Sequence, residues 1–257
     1  MRNPHVVKLT YQLKPDKNIS FPGAPPIEED RDSFHIRLDE EYLTIEMKEH
    51  FSSPDDARKL VEPFLRSWEI DAALFYNHPA IQFIYKDAEV IDLDPHPPGV
   101  TTDLEVNTSD LVIVSENVTL HVNYPNYPFP PITFSVTPEV EILWHRYWGY
   151  RQNQEPLLAM AYYCLTYIEK TFGKRQRAAR QLGISDNVLD KLGNFASHRG
   201  NFQTARKVSK DSNVSPLNSR EVDWIDTLIK MIIRRMGERS PTSTFPQITM
   251  DDLPPLY

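Results

Sequence analysis

Residues 124–138 read YPNYPFPPITFSVTP, and the chain changes character across them. Before this stretch, apolar residues alternate with polar ones. After it, they recur every three to four residues. Its prolines favour extended polyproline II, so residues 124–136 are expected to form a stiff linker. Thr137-Pro138-Glu139 then opens a helix, with threonine as N-cap, proline in the first helical position and an acid at the positive end of the dipole. The pattern predicts an α+β protein. Residues 1–123 should form an acidic, mostly antiparallel sheet with one helix, residues 137–239 a basic helical bundle, and residues 240–257 an extended tail.

Upstream, Val7, Leu9, Tyr11 and Leu13 alternate with polar residues, as do Phe34, Ile36 and Leu38, then Leu43, Ile45 and Met47. Apolar runs follow at 81–85, 90–93, 111–114 and 118–122. A period of two predicts strands with one buried face. One helix interrupts them. Ser53 caps it, Pro54, Asp55 and Asp56 open it, and Leu60, Val61, Phe64, Leu65 and Trp68 form its apolar stripe. Pro63 lies inside that stripe and predicts a kink or a split.

Downstream, helices are expected over about 138–153, from Glu155-Pro156 to just before Gly173, and over 174–182 and 185–197 on either side of Gly183. A last helix begins at Asn218, with Glu221 as its capping-box partner. Val222, Ile225, Leu228, Ile229, Ile232 and Met236 share its apolar face, and Gly237 is expected to stop it.

Composition narrows the function. With 40% hydrophobic and 25% charged residues, the 257-residue chain is not disordered, collagen-like or a membrane protein. None of its 8 glycines has the spacing of G-x-G-x-x-G, a Walker A loop or a G-x-S-x-G elbow. Enzymes built on those loops are excluded, and no cofactor is expected. The apolar run at 157–168 falls short of the ~18–20 residues of a membrane span. No signal-peptide pattern opens the chain, so the cytoplasm is the expected compartment. The single Cys164 excludes an intrachain disulfide and reads as a buried thiol.

The net charge of −8 conceals a split: −13 over residues 1–140, +7 over 141–240 and −2 over 241–257. Either the basic half meets the acidic half, its own or that of a second copy in a homodimer, or it offers a site for a polyanion. Lys174, Arg175, Arg177, Arg180, Arg199, Arg206 and Lys207 are the expected nucleic-acid contacts. The Tyr, Trp and His residues at 145–150 are near in sequence and either stack bases or form the core and rim of the bundle. The span from Arg177 to Ser185, with small Ala179 four residues before Gly183, has the spacing of a helix-turn-helix. Ile184, Leu189 and Leu192 would be buried behind it, but Asp186 and Asp190 suit a DNA-reading helix badly. Asp92, Asp94 and His96 could share a metal, although Asp-Pro turn chemistry explains them more simply, and no metal is expected.

Residues 141–238 resemble the HEPN superfamily, especially its Apea-like branch. The resemblance lies in a helix ending YWGYR at 147–151, the apolar helix over 155–169, a shorter helix with a polar signature, and an amphipathic closing helix. The signature of HEPN ribonucleases is an arginine, a polar residue, a short spacer and a histidine. GNFASH at 193–198 matches it at Asn194 and His198, with Gly193 in the arginine position. The whole chain is also similar to uncharacterised bacterial proteins, some labelled methylamine-utilisation accessory proteins, through VEPFLRSWEIDAAL, EPLLAMAYYCLTYIEK and LNSREVDWIDTLIKMIIRRMGE. The HEPN resemblance implies a bundle that binds RNA or a protein partner with little or no catalysis. One alternative is a metal-independent ribonuclease in which His198 moves the proton, Asn194 assists, and Lys191 or Arg199 replaces the missing arginine. Another is a helix-turn-helix DNA regulator, with DNA a less favoured partner than RNA.

Overall fold

The computed structural model describes residues 3–17, 19–76, 81–94, 122–200, 215–240 and 244–256. The chain divides into two compact units between Pro130 and Pro131. The expected strand at 111–114, nearly all of that at 118–122, and His96, Arg206 and Lys207 lie outside the described residues.

In the first unit, β1 (Pro4–Pro15), β3 (Ile27–Asp30), β4 (Phe34–Asp39), β5 (Tyr42–Met47) and β6 (Ile81–Asp92) make one sheet. Its order is β3-β4-β5-β1-β6, with every pairing antiparallel. β2 (Ile19–Ser20) and β7 (Val122–Asn123) form a second, parallel pair. The runs at 81–85 and 90–93 are thus a single strand. Phe34, Ile36, Leu38, Leu43, Ile45 and Met47 are buried, as their alternation predicts. In β1 the buried residues are Val6, Leu9, Tyr11 and Leu13, so Val7 is not on that face. The register against β6 shifts between Val6 and Lys8, and such a bulge adds one residue that moves its neighbours across the sheet.

Helix α1 (Pro54–Tyr76) packs Ala57, Val61, Leu65, Trp68 and Ala72 into the same core as the sheet. Pro63 does not split it. Pro63 is exposed, so the carbonyl it leaves without a donor one turn back can take water. Buried Val61 and Leu65 on either side hold the helix down, and tertiary packing outweighs local propensity.

The proline-rich segment is shared between the two units. Tyr127 is buried in the first, where Trp68 Nε1 donates to the Pro128 carbonyl at 2.8 Å. In the second, the Ser135 N–H donates to the Gly237 carbonyl at 3.0 Å.

The second unit holds α2 (Pro138–Arg151), α3 (Leu157–Phe172), α4 (Arg175–Leu182), α5 (Asp186–His198) and α6 (Ser219–Glu238). Thr137 and Asn218 cap α2 and α6, and Glu221 closes the second half of the α6 capping box. Cys164 is buried, and burial pushes its thiol up to about 12. Gly237 does not stop α6, which runs one residue further. Its lack of a side chain instead admits the Phe134 ring, with which a Cβ there would collide. Trp224 and Ile233 belong to the buried face of α6, while Val222 is only half-buried.

The end of the chain docks on this unit. Ile248 bridges Ile184 in parallel, donating to the Gly183 carbonyl at 2.7 Å and accepting from the Ser185 N–H at 2.9 Å. Phe245 packs on Gly183, whose φ of 61° and close approach both favour glycine. No helix among the described residues is long and apolar enough to cross a membrane.

Candidate nucleic-acid interface

The signature residues sit on the last turns of α5. Asn194 and His198 are exposed, and the His198 Nδ1 lies 3.2 Å from the Asn194 carbonyl. With a proton on Nδ1 for that bond, Nε2 carries the free lone pair. Lys191 Nζ lies 4.8 Å from the centre of the Phe195 ring. Arg199 donates to buried Glu221. Burial alone would raise the Glu221 carboxyl, but the Arg199 guanidinium and the Asn218 N–H outweigh it and hold it below the ordinary range. Arg199 therefore braces the first turn of α6.

A guanidinium does lie against Gly193, but it comes from α4. A Cβ on Gly193 would sit 3.0 Å from Arg175 Nη2. Arg175 also bonds Glu169 at 2.6 Å and Asp190 at 2.7 Å. Its charge is balanced twice over. Thus Arg175 and Arg199, both expected to contact nucleic acid, are held in ion pairs within the bundle. Lys174 is exposed beside Arg175, on a cleft of about 810 Å³ that Glu169, Asp186 and Asp190 also line.

Arg177 and Arg180 behave differently. Ala178, Ala179 and Leu182 bury one side of α4, which leaves Arg177 and Arg180 exposed on the other. They line a cleft of about 600 Å³ with Thr171, Phe172, Gln181 and Arg239. Arg239 caps the end of α6 and stands 5.1 Å from the centre of the Phe172 ring. None of the three arginines has a carboxylate within 4.0 Å among the described residues. Glu139 lies further off, its carboxyl held below the ordinary range by the Thr137 hydroxyl and its own N–H, with a smaller contribution from Arg239. Arg180 Nε donates to the Gln176 carbonyl at 3.4 Å. Sequence reasoning missed Arg239, Thr171, Phe172 and Gln181. Arg239 reads as an ordinary cation complementing a helix C-terminus, and nothing local places it beside residues some sixty positions earlier.

The aromatic residues at 147–150 are spent largely on packing. Tyr147 is buried and donates to Asp226 at 3.0 Å, and burial raises its phenol well above the ordinary value. Trp148 stacks on Trp144 at 5.6 Å. Ala179, Ile184, Leu189 and Leu192 are buried between α4 and α5, as a helix-turn-helix requires. The exposed start of α5, however, is Asp186 and Asn187, and the strap carrying Phe245 and Ile248 covers the turn. Asp92 accepts from the N–H groups of Asn3 at 3.0 Å and Asp94 at 3.2 Å, the bonding of a strand-end turn. No group of three metal-ligating side chains occurs among the described residues.

Comparison with protein-family models, curated proteins and solved structures returns no match. The functional reading therefore rests on the geometry of this chain.

Proposed function

We propose that the helical unit is a non-catalytic HEPN-like module that binds RNA through the cleft of Arg177, Arg180 and Arg239. One observation carries this reading: these three arginines share a concave surface with no carboxylate within 4.0 Å of them among the described residues, whereas Arg175 and Arg199 are held in ion pairs. Cations outside ion pairs bind phosphates by releasing the counterions of the strand. Catalysis has less support, because Arg175 and Arg199, the guanidiniums beside the signature, are held by Glu169, Asp190 and Glu221.

The test is the salt dependence of binding to a single-stranded RNA of about twenty nucleotides. Each phosphate contact removed should reduce the slope of log affinity against log salt by about 0.7. Arg177→Ala and Arg180→Ala should each do so. A chain with no salt-dependent RNA affinity at low ionic strength defeats the reading.

A ribonuclease is the second reading, favoured by the exposed His198 whose Nε2 is left as the basic nitrogen. It requires RNA cleavage in the presence of a chelator and its loss in His198→Ala. Cleavage that survives in that variant removes His198 from the mechanism.

A further inference from the structure

The shape and charge of the arginine cleft say which phosphate it suits. A surface that tracks internal phosphodiesters spreads its cations along a groove, one charge per nucleotide. Here Arg177, Arg180 and Arg239 instead line one cleft of about 600 Å³. The C-terminal ends of α3 and α6 adjoin it, at Phe172 and Glu238. Each helix C-terminus contributes roughly half a negative charge, so two of them offset about one of the three positive charges. Glu139, further than 4.0 Å from Arg239, offsets a further part of that charge, so the cleft stays positive and offers three guanidiniums, which suit the three free oxygens of a phosphate monoester better than the two of a diester. The charge of Glu238 is already taken by Arg234, whose Nε lies 2.9 Å from it.

The polar groups agree. Guanidinium forks bind phosphate oxygens in pairs, and the Gln181 amide adds donors. The Thr171 hydroxyl donates to the Tyr167 carbonyl at 2.9 Å and is spent as a donor. The Phe172 ring, on which a base would otherwise stack, lies beneath the Arg239 guanidinium. The cleft is furnished for a phosphate group rather than a base.

We propose that this cleft binds the terminal phosphate monoester of an RNA strand in preference to internal phosphodiesters. A monoester carries close to two negative charges above its second ionisation near pH 6, and a diester carries one. The proposal rests on the RNA-binding reading above.

The test compares one RNA sequence in three forms: 5′-phosphorylated, 3′-phosphorylated and hydroxyl at both ends. At pH 7.5 one phosphorylated form should bind about tenfold more tightly than the hydroxyl form. That preference should shrink towards twofold at pH 5 and in Arg239→Ala, whose unchanged melting temperature shows that it folds. Phosphorylated strands within twofold of the hydroxyl strand, all still salt-dependent, overturn this proposal and leave RNA binding standing. No binding of any strand overturns both. Inorganic phosphate that competes at the concentration of the phosphorylated strand overturns the strand end as the ligand, because the site would then serve free phosphate.

Discussion

Two sets of arginines on one helical unit behave in opposite ways. Arg175 and Arg177 are two residues apart on α4, yet Arg175 is clasped by Glu169 and Asp190 while Arg177 opens onto a cleft. Arg199 and Arg239 each cap the C-terminus of a helix, yet among the described residues only Arg199 has a carboxylate within 4.0 Å. A basic stretch is therefore not one functional object. A step of two positions on a helix turns a side chain by about 200°, from a face that contributes to stability to one that is free to bind.

The comparison breaks first at Glu221. Glu221→Ala should lower the stability of the helical unit by about 2–3 kcal/mol, because it removes a capping-box partner and strands Arg199. Urea denaturation monitored by tryptophan fluorescence measures this, and a loss below about 0.5 kcal/mol would show that Arg199 is not structural. The same pair predicts a pH effect. The Glu221 carboxyl is held below its ordinary value of 4.5 in the folded chain. Its stabilisation is complete above pH about 4.5 and is lost as pH falls through the lowered folded value. Arg199→Ala should flatten that acid limb.

Arg175→Ala comes next, at about 1 kcal/mol, since a third of its side chain is exposed and water screens its pairs. It should leave RNA affinity nearly unchanged. A loss of RNA binding as large as that of Arg177→Ala would erase the distinction between the two faces. Smallest is the stability effect of Arg177→Ala, Arg180→Ala or Arg239→Ala, each within about 0.5 kcal/mol, as for exposed surface positions outside ion pairs. A larger loss in thermal unfolding would mean that these arginines support the fold as well.

The fold was largely legible in the sequence because its signals are local. Thr137, Asn218 and Glu221 mark helix starts by capping backbone N–H groups within three residues of themselves. The alternation of Phe34 to Leu38 and Leu43 to Met47 needs only the geometry of a strand. What was misread depends on partners distant in the chain. The bulge beside Val6 is set by β6, more than eighty residues on. The role of Gly237 is set by Phe134, about a hundred residues earlier. The site was half legible for the same reason. Arg177 and Arg180 announce themselves as exposed cations on a short amphipathic helix, whereas Arg239 joins them only through the folding of α6 against the bundle. Conversely, no charge count separates Arg175 from its neighbours, because Glu169 and Asp190 reach it from α3 and α5.

The contact of Ser135 and Phe134 with Gly237 has an architectural consequence. It brings the beginning of the helical unit to the end of its last long helix, so about a hundred residues leave and return at one corner. The helices from α2 to α6 are thus closed without help from the tail, so removing residues 244–256 would uncover Gly183 and Ser185 and leave the Ser135–Gly237 closure in place.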